Sequence, residues 1–165
     1  MRARTLGGVT ALAVLIVDQA SKLWLLYGLG LKEHERIAVA PFLDFELLRN
    51  PGISFSLFQQ GTAPGRWILL SLTLGATILL GVWLWRVKST IAALGLGAIV
   101  GGALGNGHDR FADNAVVDFL DFHAFGYHWY VFNVADAAIT LGVCLLLYDS
   151  FAVSRHTVPS PGGEG

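Results

Sequence analysis

Four long apolar stretches dominate the pattern of hydrophobic and polar positions, and shorter polar segments separate them. The stretches lie at about residues 6–27, 67–85, 91–107 and 131–150. Crossing the hydrocarbon core of a membrane takes roughly 20 apolar residues in a helix. The second stretch contains no charged residue, and Trp67, Trp83 and Trp85 stand near its ends, where aromatic side chains favour the membrane interface. The pattern therefore predicts four transmembrane helices.

A different periodicity occupies the polar segment between the first two stretches. Polar and apolar residues alternate over Phe42–Leu47 and again over Ser54–Leu57, which is typical of strands with one apolar face. Asn50-Pro51-Gly52 between them predicts a turn. The fold class is therefore an all-α integral membrane protein with four transmembrane helices and a small extracytoplasmic β-element. One transmembrane domain is expected over residues 1–153, and a disordered cytoplasmic tail over residues 154–165, which are rich in Ser, Pro and Gly.

Composition and charge support a membrane protein. The chain has 165 residues, of which 54% are hydrophobic and only 14% are charged. A soluble domain carries about 25% charged residues. The net charge of -1 provides no basic surface for nucleic acid, so that class of partner is excluded and membrane lipid is expected instead.

The orientation of the helices follows from the distribution of basic residues. An even number of spans places both termini on one side of the membrane. Five basic residues fall on each side: Arg2, Arg4, Arg86, Lys88 and Arg155 against Lys32, Arg36, Arg49, Arg66 and Arg110. The first set lies in shorter segments, where the positive-inside rule is stronger, so we expect both termini in the cytoplasm.

Ionisable residues inside the apolar stretches are candidates for a functional site, because each costs roughly 2.5 to 3.5 kcal/mol on insertion scales. Asp18 and Lys22 are four positions apart and share one helix face, so they either form a structural ion pair or shape a site. Asp136 lies near the start of the fourth stretch.

The densest polar segment leads up to Asp136. It contains Asn106, Asp109, Arg110, Asp113, Asp118, Asp121, Asn133 and Asp136. Exposure in a loop is sufficient to explain Asp113 and Asp121, but not an acid within an apolar helix. If Asp118 meets Asp136 in a site of low dielectric, the two carboxyl groups are expected to share one proton, carried more often by Asp118. One then takes a proton from water while the other protonates a scissile carbonyl oxygen.

Two other chemistries have less support in the sequence. His108, His123 and His128 lack the spacing of known metal sites, so no metal and no cofactor are expected. An alternative function is a small proton- or ion-coupled membrane transporter that uses Asp18, Lys22 and Asp136 as a path. The internal repeats expected of such a transporter are not visible in the sequence.

Five segments resemble the bacterial lipoprotein signal peptidases (signal peptidase II), and they occur in the same order as in that family. These segments are Val17–Lys22, Asn50–Phe55, Gly101–Asn106 continued by Asp109-Arg110, Val117–Phe119 and Phe132–Asp136. Two departures stand out. Ser54 replaces the usual Ala, and Gly107-His108 replaces a pair of apolar residues.

The resemblance implies a metal-independent membrane aspartyl endopeptidase of the bacterial inner membrane, with its active site near the outer face. Its substrates would be diacylglyceryl-modified prolipoproteins, cut before the lipidated cysteine, and the cyclic peptide globomycin would inhibit it. The resemblance implies that Asp118 and Asp136 form the catalytic dyad. The supporting or substrate-binding residues would be Asp18, Lys22, Asn50, Gly102, Asn106, Arg110 and Asn133.

Overall fold

The computed structural model describes residues 3–52 and 63–156, which form four long helices and a four-stranded sheet. The helices are α1 (Ala3–Leu23), α2 (Ala63–Arg86), α3 (Thr90–Asp113) and α4 (Val134–His156). A turn of π-helix, Trp24–Gly28, extends α1. Each helix contains a stretch that is long and apolar enough to cross a membrane. The predicted fold class is confirmed: this is a multi-pass membrane protein with a small antiparallel sheet.

Helix α3 is the centre of the bundle and packs against α1, α2 and α4. In its apolar window 67% of the residues are buried, against 17% or less in the other helices. Glycine makes this packing possible. A Cβ on Gly101 would lie 2.4 Å from the backbone oxygen of Ala11 in α1, and one on Gly102 would lie 2.5 Å from that of Ala135 in α4. Two faces of α3 thus accept neighbouring backbones at close range.

Large apolar side chains cover the outer faces of the bundle. Leu72, Leu79 and Trp85 of α2 are each more than 60% exposed within the protein (63%, 72% and 71%). A soluble protein rarely exposes so much contiguous apolar surface. The hydrocarbon of a membrane is the environment in which these side chains are stable.

The sheet joins two distant parts of the chain at one end of the bundle. Its strands, in spatial order, are β1 (Arg36–Ala40), β2 (Leu43–Asn50), β3 (Val116–Ala124) and β4 (Tyr127–His128), all antiparallel to their neighbours. Strand β2 follows α1, and β3 follows α3. Their register places Leu48 opposite Asp118 and Asn50 opposite Val116. A small apolar core of Leu25, Leu31, Leu47, Val117 and Phe119 supports the pairing.

The segment that the sequence leaves between the third and fourth apolar stretches, at about residues 108–130, folds mostly into regular elements. Helix α3 continues from its predicted end at residue 107 to Asp113. Asn114 then ends it in the left-handed conformation, at φ 61°, and the chain enters β3 two residues later. Asp118 therefore lies on a strand, where hydrogen bonds to β2 fix its position.

The fourth helix also differs from its predicted bounds. It begins at Val134 rather than at residue 131, and it continues to His156. Residues 154–156 are therefore helical, and their assignment to a disordered tail was wrong. Residues 157–165 and the predicted strand Ser54–Leu57 lie outside the described residues.

The close approach of α3 and α1 leads to a stability prediction for Gly101→Ala. The added methyl group would overlap a backbone oxygen, so α1 must move away. Overpacking of this kind costs about 1–3 kcal/mol. We expect a fall of several degrees in the thermal unfolding temperature in detergent. The control is Gly81→Ala in α2, where an added methyl group would have no atom within 4 Å among the described residues. Equal unfolding temperatures for both variants would contradict the packing argument.

Candidate active site

Asp136 is held at the start of α4 by a reciprocal pair of hydrogen bonds with Asn133. The Asn133 side-chain oxygen accepts from the Asp136 backbone N–H at 2.9 Å, and Asp136 Oδ2 accepts from the Asn133 backbone N–H at 3.3 Å. This is the capping-box arrangement, with Asp at the position more often taken by Glu. The carboxylate consequently lies in the first helical turn, where the helix dipole stabilises a negative charge.

Asp118 on β3 is held by two side-chain amides. Asn133 Nδ2 donates to its Oδ1 at 2.6 Å, and Asn50 Nδ2 donates to its Oδ2 at 3.1 Å. Asn50 lies at the end of β2, and its side-chain oxygen accepts a hydrogen bond from the backbone N–H of Gly52. The φ angle of Gly52 is 137°, a conformation that glycine adopts readily. Asn133 thus binds the Asp118 carboxyl through its side-chain amide and the Asp136 carboxyl through its backbone N–H, so the structure brings the predicted pair together around one residue.

Asn106 connects this pair to the interior of the bundle. Its Nδ2 donates to Asp136 Oδ1 at 2.8 Å, while its Oδ1 accepts from Asn133 Nδ2 at 3.1 Å and from Lys22 Nζ at 3.5 Å. The amide orientation is fixed, because the carboxylate needs a donor and the other two groups need an acceptor.

Lys22 lies at the centre of a buried charge cluster. Its Nζ is 2.7 Å from Asp18 Oδ2 and 2.7 Å from Asp109 Oδ2, and all three side chains are at most 5% exposed. Asp18 Oδ1 accepts from the backbone N–H of Ala135 at 2.9 Å, and Asp109 Oδ2 accepts from that of Val117 at 3.2 Å. Ala135 and Val117 directly precede the two paired aspartates. The cluster therefore fixes the backbone on which each of them is mounted.

Arg110 supplies positive charge beside the aspartate pair. Its Nη1 donates to the backbone oxygen of Asn106 at 3.3 Å, and its guanidinium is close enough to Asp118, Asp136 and Asp109 to interact with their charges. Its Nε is buried and has no hydrogen-bond partner among the described residues. The site therefore contains a polar donor that its own side chains leave unsatisfied. Gly102 takes no direct part, but its contact with Ala135 sets the distance between α3 and α4.

Burial raises the pKa of Asp118 from 3.8 to about 6. The side chain is 2% exposed, and loss of hydration penalises its charged form. The hydrogen bond from Asn50 opposes this shift, the charge of Asp136 adds to it, and the bond from Asn133 opposes it again. Asp118 therefore holds a proton at a pH where an exposed aspartic acid has lost it.

Two largely apolar cavities lie among the elements of the protein, and one of them reaches Asp136. One, of about 500 Å³, extends from Asp136 along α4 between Trp129 and Cys144. The other, of about 570 Å³, lies between α1, α2 and α3, and its lining includes His108 and Phe111. Each offers an apolar environment within a membrane-spanning bundle.

Comparison with known proteins agrees with this geometry. The family model of signal peptidase (SPase) II matches residues 10–152. The chain is 51% identical to the lipoprotein signal peptidase of Beijerinckia indica subsp. indica and 52% identical to that of Methylocella silvestris. These alignments cover all of this chain and 99% and 98% of the relatives. The chain belongs to the signal peptidase II family.

Solved structures extend the likeness to the fold. Two structures described as bacterial membrane enzymes superpose on this chain with TM-scores of 0.79 and 0.75, at 25% and 28% identity. They cover 95% and 87% of this chain, and it covers 94% and 90% of theirs. Membership of the signal peptidase II family makes the protein a transmembrane peptidase of lipoprotein processing, which argues against the transporter alternative.

All the polar residues that the sequence assigned to the site of this signal peptidase II meet in one connected network. Sequence reasoning gave no role to Gln19, Asp109 or Tyr130. Gln19 Nε2 donates to Asp109 Oδ1 at 2.9 Å, and Tyr130 contacts Asn50. The presence of Gln19 beside Asp18 and Lys22 in one apolar helix is a sequence feature that indicates a larger polar cluster. Nothing in the sequence indicates the partner of Tyr130.

The interpretation of Asp121 as an exposed loop acid was wrong. Its side chain is 1% exposed, and its Oδ2 contacts Arg36 Nη2 at 3.2 Å and His128 Nδ1 at 2.8 Å. The pairing of β2 with β3 brings it under Arg36, which also pairs with Glu46. Over residues 3–52 and 63–156, no three His, Cys, Asp or Glu side chains are arranged to hold a metal ion.

The buried cluster predicts that Lys22→Met is strongly destabilising. Removal of the cation leaves Asp18 and Asp109 buried beside each other without an opposite charge. Breaking a buried ion pair in this way costs about 3–5 kcal/mol. Thermal unfolding in detergent should show a large fall in the unfolding temperature, while Lys32→Met at an exposed position should leave it nearly unchanged. A Lys22→Met protein as stable as the parent would rule out the proposed role of the cluster.

The raised pKa of Asp118 predicts how stability depends on pH. Between pH 3.8 and about 6 the folded protein binds the Asp118 proton more tightly than the unfolded chain does. Stability contributed by this group is therefore lost as the pH rises through that window. The asparagine in Asp118→Asn cannot ionise, so this variant does not lose that stability. The difference between its unfolding temperature and that of the parent should therefore increase from pH 4 to pH 7. The exposed Asp113→Asn serves as the control, and a constant difference for Asp118→Asn would contradict the burial effect.

Proposed function

We propose that this protein is a metal-independent aspartyl endopeptidase that removes the signal peptide from diacylglyceryl-modified prolipoproteins by cutting before the lipidated cysteine. Asp118 and Asp136 are the catalytic dyad. The observation that carries the proposal is that Asn133 binds both carboxyl groups in a buried site. Two acids held together with one raised pKa can act as acid and base in a single step.

The chemistry needs only these two groups and one water molecule. The Asp136 carboxylate takes a proton from water as the water oxygen bonds to the scissile carbonyl carbon. Asp118 gives its proton to the carbonyl oxygen, which forms a neutral diol. Asp136 then returns its proton to the amide nitrogen, Asp118 recovers a proton from a diol hydroxyl, and the C–N bond breaks. No covalent enzyme intermediate forms.

The supporting polar residues have three roles. Asn50, Asn106 and Asn133 orient the carboxyl groups through the hydrogen bonds described above, and Asp18 and Lys22 hold the backbone that carries them. The unsatisfied Nε of Arg110 is suited to a backbone carbonyl of the substrate. An amide or guanidinium donor of this kind orients a peptide bond without competing for the proton of the dyad.

The apolar cavities suit a substrate that is already anchored in the membrane. Its diacylglyceryl chains can lie against apolar helix faces while the peptide crosses the dyad, so that binding energy from the lipid orients the scissile bond. Both termini are proposed to be cytoplasmic, which puts the dyad near the outer face of the bacterial inner membrane. Globomycin, a cyclic peptide, is proposed to occupy the same site.

The dyad predicts complete loss of cleavage in Asp118→Asn and in Asp136→Asn. Neither amide can exchange a proton as its acid does, so each half of the acid–base pair is lost. The assay uses purified protein in detergent and a lipidated preprotein, with the cleavage product separated on a gel. Thermal unfolding verifies that each variant is folded.

The matched control is Asp113→Asn, an exposed acid at the end of α3, which should cleave at the parental rate. A strong chelator should also leave cleavage unchanged. Full activity in either dyad variant would reject the assignment of the dyad. Activity that is lost to the chelator and restored by zinc would reject metal independence.

A further inference from the structure

Both hydrogens of the Asn50 side-chain amide are used, and they go to different groups. One is donated to Asp118 Oδ2 at 3.1 Å, and the other to the Tyr130 hydroxyl oxygen at 3.0 Å. The Asn50 side-chain oxygen accepts from Gly52, so the amide cannot be reversed. Tyr130 is therefore bonded to the same amide that holds a member of the dyad.

The Tyr130 hydroxyl receives a hydrogen bond here and keeps its own hydrogen for another partner. A phenol has one O–H to donate, and no acceptor for it lies within hydrogen-bond distance among the described residues. The side chain is 65% exposed and lines the cavity that begins at Asp136. The free donor thus belongs to a group at the edge of the proposed substrate site.

Accepting from Asn50 also makes this hydroxyl a better donor, because hydrogen bonds in a chain polarise one another. A neutral donor beside the dyad can bind a peptide carbonyl without supplying or removing a proton. An extended peptide at the dyad presents such carbonyl oxygens on both sides of the scissile bond. The chemistry of the hydroxyl therefore fits the backbone of the substrate.

We propose that Tyr130 is a substrate-binding residue whose hydroxyl donates a hydrogen bond to a backbone carbonyl of the preprotein next to the scissile bond. This inference rests on the proposed function and adds a contact from the segment before α4. It differs from a purely structural role, in which Tyr130 would only hold Asn50 and thereby tune Asp118. Loss of a substrate contact raises KM, whereas a change at Asp118 displaces the pH profile.

The test compares Tyr130→Phe with the parent in the lipidated-preprotein assay, with KM, kcat and the pH profile measured separately. We expect a higher KM and a roughly tenfold lower kcat/KM, the effect of one lost hydrogen bond. The rate falls with rising pH as Asp118 loses its proton, and the midpoint of this fall should be at the same pH in Tyr130→Phe as in the parent. The matched control is Tyr127→Phe, an exposed tyrosine on β4 that should behave as the parent does.

Two outcomes would overturn the inference. One is unchanged kcat/KM in Tyr130→Phe. The other is an unchanged KM with a displaced pH profile, which would show that Tyr130 acts only through Asn50. Failure of the proposed function gives a different pattern, because the parent would then not cleave the preprotein, or Asp118→Asn would still do so. Thermal unfolding of Tyr130→Phe, expected near the parental temperature, separates lost binding from lost folding.

Discussion

A lysine buried inside a membrane-spanning bundle must find its counter-charges within the protein, and this requirement organises the structure. Lys22 contacts Asp18 and Asp109 at 2.7 Å each, and both acids are buried, so exposure to solvent does not offset the loss of that contact. Each acid also accepts from a backbone N–H beside a proposed catalytic residue. The carboxylates of Asp18 and Asp109 thus both neutralise Lys22 and position the backbone of the proposed dyad. The cost of burying three charges is offset only when the strand and the helix that carry the dyad are in place.

Side-chain amides continue this arrangement up to the dyad. Asn106 lies between Lys22 and Asp136, Asn133 caps α4 and reaches Asp118, and Asn50 approaches Asp118 from the other strand. Amides suit these positions because each offers a donor and an acceptor but no titratable proton. They can therefore orient two carboxyl groups without exchanging protons with them, as the proposed acid–base reaction requires. The raised pKa of Asp118 reflects burial among such neutral partners.

The sequence predicted the parts of the fold that local pattern determines. Four apolar stretches became four helices, and an acid within the fourth stretch marked Asp136. The pairing of Asp18 with Lys22 followed from helical spacing. The pairing of Asp118 with Asp136 was only a conditional expectation from the residues, and the resemblance to the signal peptidase II family is what implied it. Contacts that depend on strand pairing could not be predicted from local sequence pattern. Asp121 meets Arg36 because β1 pairs with β2 and β2 pairs with β3, and Asn50 of β2 meets Tyr130. No local periodicity encodes the register of these pairings. The capping box of Asn133 and Asp136, by contrast, was present in the sequence as two polar residues three positions apart.

The hydrogen bond from Ala135 to Asp18 joins residues 117 positions apart, in the first and last helices. During synthesis the first helix is made before the fourth, so Asp18 lacks the Ala135 N–H as a partner until the fourth helix has been made. The start of the fourth helix likewise finds that carboxylate only after the whole bundle has assembled. Maturation of the site is therefore a late event that follows insertion of the complete chain. A nascent or truncated chain that lacks the last helix also lacks Asp136, one of the two acids of the proposed catalytic dyad.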